Sequence, residues 1–222
     1  MYIIVVGAGS IGSPVIELAV SAGHEVVVVE KDATVADVAA ADHDCLVLND
    51  DATEMETLEE AGAEKADAII STTDQEAVNI MVMLLADDLD IPSLVSVVHN
   101  PEHMEMFRRI GVNVLENPQR LIAEYLFQAV QRPSVKDFMR LADGAEIIEI
   151  TASAGAPIID MTLRGADESG LIGEEVLVVA IERGNTVITP KGDTTIQAGD
   201  LVSVFSRDGI TESLMAIFTG AE

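Results

Sequence analysis

The stretch Tyr2-Ile3-Ile4-Val5-Val6-Gly7-Ala8-Gly9-Ser10-Ile11-Gly12 decides how this chain reads. Five β-favouring apolar residues run directly into a G-x-G-x-x-G spacing, which predicts a buried strand, a tight glycine turn and the start of a helix. The glycines have separate tasks in such a turn. Gly7 makes the bend, Gly9 lets the backbone approach a pyrophosphate, and Gly12 lets helix pack on strand. The helix beginning there directs free N–H groups and a positive dipole end at the phosphates. The spacing alone is a weak signal, because an ordinary glycine turn looks the same. The order of the next elements strengthens it. Val26-Val27-Val28-Val29 predicts a second strand, and it ends in Glu30, 18 residues past Gly12, near where a dinucleotide fold places its ribose-binding acid.

Outward from this stretch the chain alternates. Helical spacing over 14–22 puts Ile11, Val15, Leu18 and Ala19 on one side, and Gly23 ends it. A helix over 32–41 has Asp32 as its cap. Strands occupy 45–48, 66–70, 94–98 and 112–115, with helices over 54–61, 75–87, 102–110 and 118–131 between and after them. Strict alternation predicts an α/β fold, a Rossmann-like doubly wound parallel sheet, over residues 1–133. Ligands of such sheets bind at the carboxyl ends of the strands. The loops after the first four strands carry residues 7–12, Glu30, Asp51 and Thr73, a set that suits one nucleotide. After Arg132-Pro133-Ser134 the texture changes. Strands over 146–151, 175–181, 185–189 and 201–205 and a closing helix over 211–218 predict a smaller α+β domain over 134–222.

Composition narrows the class. The chain has 222 residues, 49% of them hydrophobic, enough for a sizeable core. No apolar run reaches the roughly 18 residues of a membrane span, and the first strand begins almost at Met1, with no room for a signal peptide. A single cysteine, Cys45, excludes an intramolecular disulfide framework and reads as a small buried core residue. Together these features predict a soluble cytosolic protein. The formal charge of −27, from 39 acids against 12 bases, is repelled by nucleic acid and anionic lipid. Such self-repulsion relaxes where molar salt shortens the screening length to about 3 Å. The charge therefore predicts a halophile's cytosol, against the alternative of an acidic face that docks on a basic partner.

The combined pattern resembles the regulatory subunits of Trk/Ktr potassium uptake systems, the TrkA-like proteins. These have a nucleotide-binding RCK (KTN) domain followed by a smaller RCK C-terminal domain. The resemblance covers essentially the whole chain. It rests on Gly7-Ala8-Gly9 with Gly12, Glu30-Lys31-Asp32, Asp51-Ala52-Thr53, Thr73-Asp74 with Asn79, Asn100-Pro101-Glu102, Gly111-Val112, Pro190-Lys191-Gly192-Asp193-Thr194 and Gly199-Asp200. It implies a homo-oligomer, a dimer or higher ring, at the inner face of the membrane beneath a potassium-translocating subunit, with adenine nucleotides altering ring geometry. Carried over by position, Gly7, Ala8, Gly9, Ser10, Ile11 and Gly12 hold phosphates. Glu30 binds ribose hydroxyls, Asp51 and Ala52 lie beside adenine, and Thr73 lies near the phosphate or nicotinamide side. Three departures from the family pattern bear on the ligand. Ser10 stands where many relatives have Arg, Val97 and His99 occupy a stretch that often carries Arg, and Pro118-Gln119 replaces Pro-Glu. These favour NAD(H), AMP or ADP over ATP, and Glu30 disfavours a 2′-phosphate. Lys31 reads as a surface lysine with a phosphate in reach as the lesser alternative.

Other signals are weaker. His99-Asn100-Pro101-Glu102-His103 matches H-x-x-E-H, but Asn100-Pro101 reads as a cap and first-turn proline, which leaves His99 outside the helix, so no metal is assigned. Met81, Met83, Met104 and Met106 read as core filler. The helices around 78–85 and 125–130 are apolar nearly all round and predict a seam with a second copy. No catalytic residue is assigned. A small NAD-dependent oxidoreductase is the competing class, but no Tyr-x-x-x-Lys pair or partnered His–Asp is present. A regulator of the same build on a different cation channel or antiporter is the other alternative.

Overall fold

The computed structural model describes all residues except Glu116, Ala221 and Glu222. The chain divides into two compact units, Met1–Glu124 and Tyr125–Glu222.

In the first unit, β1 (Tyr2–Val6), β2 (Glu25–Val29), β3 (Leu46–Leu48), β4 (Ala68–Ser71), β5 (Leu94–Val97) and β6 (Asn113–Leu115) form one sheet in the order β3-β2-β1-β4-β5-β6. Every pairing is parallel. The order reverses direction between β1 and β4, which leaves a crevice at their carboxyl ends. β1 is buried on both faces, which is why it reads as an unbroken apolar run rather than an alternation. Ile3 and Val5 pack with Ile16 and Ala19 of α1 (Gly12–Ser21) and Ala39 of α2 (Ala33–Asp42). Ile4 and Val6 pack on the other side with Leu58 of α3 (Met55–Glu60), Val82 and Met83 of α4 (Glu76–Asp88) and Phe107 of α5 (Met104–Arg109). Phe107 is fully buried, a contribution of roughly 2–3 kcal/mol relative to an exposed ring.

Local sequence sets the helix ends. Asp32 caps α2 by accepting from the Thr34 N–H at 2.8 Å and the Val35 N–H at 3.1 Å. Gly62 lies just past α3 with a φ of +83°, a left-handed bend that favours glycine. Two expectations need correction. The inward face of α1 is Gly12, Ile16 and Ala19, while Leu18 is 71% exposed. Glycine at the helix start lets the helix approach so closely that its contact stripe runs through residue 12 and rotates Leu18 to solvent. Cys45 is half-buried rather than a core residue, because it precedes β3, the edge strand, where cover comes from one side only. Burial first, and Asp44 second, push its thiol pKa up.

α6 (Pro118–Gln131) contains the point at which the two units divide. Ile122, Leu126 and Val130, spaced four apart, are all exposed, as are Leu121, Tyr125 and Phe127. In the second unit, β7 (Val135–Arg140), β8 (Glu146–Thr151), β9 (Val176–Arg183), β10 (Thr186–Ile188) and β11 (Leu201–Ser206) make an antiparallel sheet in the order β10-β9-β11-β8-β7. One face packs on α8 (Glu212–Thr219) and on α7 (Leu163–Glu168), with Ile148, Ile150, Val202, Val204, Ala166 and Phe218 at the centre. β7 and α7 have no counterpart in the sequence reading. The four methionines are also divided: Met83 and Met104 join the core, whereas Met81 and Met106 are exposed.

Candidate functional site

The carboxyl ends of β1 to β4 meet around a cleft of about 850 Å³, within the size range of small-molecule sites. Its floor is the glycine turn. Gly7 has a φ of +88° and its N–H donates to the Val29 carbonyl at 2.9 Å, so the turn is tied to β2. The Thr72 N–H in turn donates to Val6 O, and its hydroxyl to Gly7 O at 3.0 Å. A Cβ on Gly12 would overlap the Gly7 carbonyl oxygen and sit 2.7 Å from Thr72 Oγ1, so only glycine permits this approach of helix to turn. Around Gly9, by contrast, nothing lies within 4 Å of where a Cβ would stand. α1 starts at Gly12 after Ile11, which offers no side-chain cap. In the first turn the Ser13 N–H donates to the Gly9 carbonyl at 2.9 Å and Pro14 has no N–H, so the turn leading into the helix, rather than the helix itself, holds the backbone donors available to an anion.

Glu30 closes the next wall. Its Oε2 accepts from the Ala8 N–H and its Oε1 from the Asp32 N–H, each at 2.8 Å. Both oxygens keep lone pairs for further donors, so a pair of ribose hydroxyls suits this carboxylate and a phosphate does not. Lys31 reaches across to β3's loop, with Nζ 2.6 Å from Asp51 Oδ2. Asp51 Oδ1 accepts from the Thr53 hydroxyl and N–H. Lys31 first, then Thr53, hold the Asp51 carboxyl down to about 2, and Asp51 in return raises the Lys31 ammonium. Asn49 donates to the Glu30 and Lys31 carbonyls at 2.8 and 3.0 Å and so locks the two loops together.

The far wall is the segment after β4. Asn79 of α4 is fully buried and fixes it. Asn79 Oδ1 accepts from the Ser71 and Thr73 hydroxyls, both at 2.7 Å, and its Nδ2 donates to the Thr73 carbonyl at 3.0 Å. The same carbonyl accepts from His99 Nε2 at 3.0 Å. Glu76 accepts from the His99 N–H and from His103 Nδ1, each at 2.8 Å. Burial pushes the Glu76 carboxyl up, but the His99 N–H, the His103 ring and the Asn100 N–H together outweigh it, and the net shift is downward. His99 precedes the short turn Pro101–His103, which Asn100 caps by accepting from the Glu102 N–H. Thus the two histidines do not share a helix face. Among the described residues no group of three or more His, Cys, Asp or Glu is placed to hold a metal ion.

Of the site residues expected from sequence, Gly7, Gly9, Ser10, Glu30, Lys31, Asp51, Ala52 and Thr73 line the cleft. Ala8, Ile11 and Gly12 do not; Ala8 serves Glu30 and Gly12 packs under Gly7. The structure adds Asp32, Val35, Asp50, Thr53, Thr72, Asp74, Gln75 and Val78. Asp32, Asp50, Thr53, Thr72 and Asp74 adjoin expected residues along the loops, whereas Val35 of α2 and Val78 of α4 reach the cleft only through the packing of their helices.

A parallel Rossmann-type module with a cleft at the carboxyl ends of its strands, followed by an antiparallel α+β module, defines the class. Residues 3–118 match the TrkA-N domain, more than half of the chain, and residues 147–219 match the TrkA-C domain. The Trk system potassium uptake protein TrkA homolog of Methanothermobacter thermautotrophicus is 30% identical over 229 residues, covering 99% of this chain and 100% of its own. The chain belongs to the TrkA family. Among solved structures, the GsuK channel bound to NAD shares the fold with a TM-score of 0.66 at 21% identity, over 97% of this chain and 38% of that one. The Shewanella denitrificans Kef C-terminal domain in its AMP-bound form matches 59% of this chain and 80% of its own, with a TM-score of 0.52 at 20% identity. This chain therefore spans well under half of the GsuK chain. Among the described residues no helix is long and apolar enough to cross a membrane.

Proposed function

We propose that the cleft binds an adenine nucleotide and that the chain is a non-enzymatic regulatory subunit of a potassium uptake system. The observation that carries this reading is the convergence of the four strand-end loops on one cleft, with Glu30 bonded to the glycine turn. The turn at Gly7, Gly9 and Ser10 would hold phosphate, with Gly12 packed beneath it and Ala8 fixing Glu30 for ribose. Asp51, Ala52 and Lys31 would flank the base, and Thr73 the distal phosphate. NAD(H), AMP and ADP are favoured over ATP, because Lys31 is the one cation among the described residues lining the cleft and it is already paired. The fold matches to an NAD-bound channel and an AMP-bound domain agree with this choice.

The partner is a membrane-embedded potassium-translocating subunit, which places the chain at the cytoplasmic face. The functional division is at residues 1–133 and 134–222. The exposed apolar row of Ile122, Leu126 and Val130 on α6 supports assembly as a homo-oligomer. A charge of −27 supports a high-salt cytosol. A ligand can drive such an assembly only if it binds two of its shapes with different affinity. Small-angle scattering with and without NAD⁺, NADH, AMP and ADP, alongside a hydride-transfer assay with alcohols, aldehydes and keto acids, tests the reading. A ligand-dependent change in assembly shape without turnover supports it. Hydride transfer would instead favour an oxidoreductase.

A further inference from the structure

Two electrostatic features of the cleft oppose each other. One is the cradle for an anion, the glycine turn leading into α1. The other is its rim, where Glu30, Asp32, Asp50, Asp51 and Asp74 stand against Lys31. Lys31 supplies no spare positive charge, since Asp51 holds it at 2.6 Å. The carboxylates are fixed in place: Glu30 by the Ala8 and Asp32 N–H groups, Asp32 by Thr34 and Val35, and Asp50 by the Asp51 N–H at 2.7 Å. Asp74, next to Thr73, lines the same cleft as Gly7 and Gly9.

We infer that salt controls occupancy of this cleft with the sign opposite to that of an ordinary phosphate site: phosphorylated adenine ligands bind more tightly as KCl rises, and more steeply with each added phosphate. This rests on the cleft being a nucleotide site. In a basic site, salt screens attraction and weakens binding. Here the long-range field around the cradle is repulsive, and salt screens the repulsion. The screening length is about 10 Å at 0.1 M and about 3 Å at 1 M, so rim carboxylates felt by a phosphate in dilute salt are hidden from it in molar salt. The short hydrogen bonds from the backbone N–H groups are screened far less. The cation that the family takes up would thereby set nucleotide occupancy.

The test is calorimetric titration with adenosine, AMP, ADP and ATP from 0.1 to 2 M KCl, over the range in which far-UV circular dichroism is constant, repeated in NaCl. ADP affinity is expected to rise about three- to tenfold over that range, with a steeper slope for ATP, a shallower one for AMP and little slope for adenosine. NaCl is expected to give the same slopes, and the Asp50→Asn, Asp74→Asn double variant to raise affinity at 0.1 M and flatten them. Phosphate affinities that fall with KCl, an adenosine slope equal to that of ADP, or an effect of KCl alone would overturn the inference while leaving the nucleotide site intact. Absence of binding by all four ligands and by NAD⁺ and NADH at every salt concentration would overturn the nucleotide reading itself.

Discussion

Glu30 and Ala8, 22 residues apart, are joined by a 2.8 Å hydrogen bond in which the Ala8 N–H donates to Glu30 Oε2. The bond connects the glycine turn after β1 to the end of β2, and the other carboxylate oxygen is held by the Asp32 N–H. A single side chain thus shapes two loops of the cleft. We predict that Glu30→Ala lowers stability by about 1–2 kcal/mol, because two backbone donors, one at buried Ala8 and one at exposed Asp32, lose a charged acceptor. Glu30→Gln, which keeps one oxygen, loses less. A urea midpoint unchanged in Glu30→Ala would contradict this role.

Gly9 and Gly12 separate function from packing. A Cβ at Gly12 meets the Gly7 backbone, whereas one at Gly9 has no protein atom within 4 Å. Gly12→Ala is expected to destabilise by about 1–3 kcal/mol through overpacking. Gly9→Ala is expected to melt like the parent yet lose nucleotide affinity, because only a ligand's phosphates would contest that space. Equal stability of both variants, read by thermal denaturation, would contradict the packing described.

Asn79 carries the wall opposite. Replacing it with Ala leaves the Ser71 hydroxyl without its acceptor in the core and frees Thr73 from both of its Asn79 bonds. A loss of about 2–3 kcal/mol is expected. Faster amide exchange should appear at residues 72–75, and an unchanged exchange pattern there would refute the positioning role.

The contact of Glu76 with His99, Asn100 and His103 makes a pH-dependent contribution. The folded Glu76 carboxyl titrates below its ordinary value. Its stabilisation is therefore present above that ordinary value and is lost as pH falls through the lower, folded one. Glu76→Gln should flatten this acid limb of a stability–pH curve, and a curve with the same slope as the parent would show that the group does not contribute.

The features legible in the sequence are those set by local physics. Strand β1, the glycine turn, the Asp32 cap and the proline-started helix α6 are written in contiguous residues, and each is readable without knowing the fold. Asp50, Thr53, Thr72, Asp74 and Gln75 reach the cleft only because β3 and β4 end beside β2 and β1, a tertiary fact. The Lys31–Asp51 pair likewise depends on β2 lying next to β3. β7 gives no strand signal because, as the edge of its sheet, it carries Lys136, Asp137 and Arg140 and shows no clear alternation. α7, with six residues and a central Gly165, has too few turns for a helical period, and its Thr162 cap is the only local sign.

The central claim, that this cleft is a nucleotide sensor, is tested most directly by calorimetric titration of the parent chain and Gly9→Ala with NAD⁺, NADH, AMP, ADP and ATP in molar KCl. Binding of one or more by the parent is expected, with loss of that binding in a Gly9→Ala protein that melts at the parent temperature. Undiminished binding by Gly9→Ala, or no binding by the parent, would contradict it.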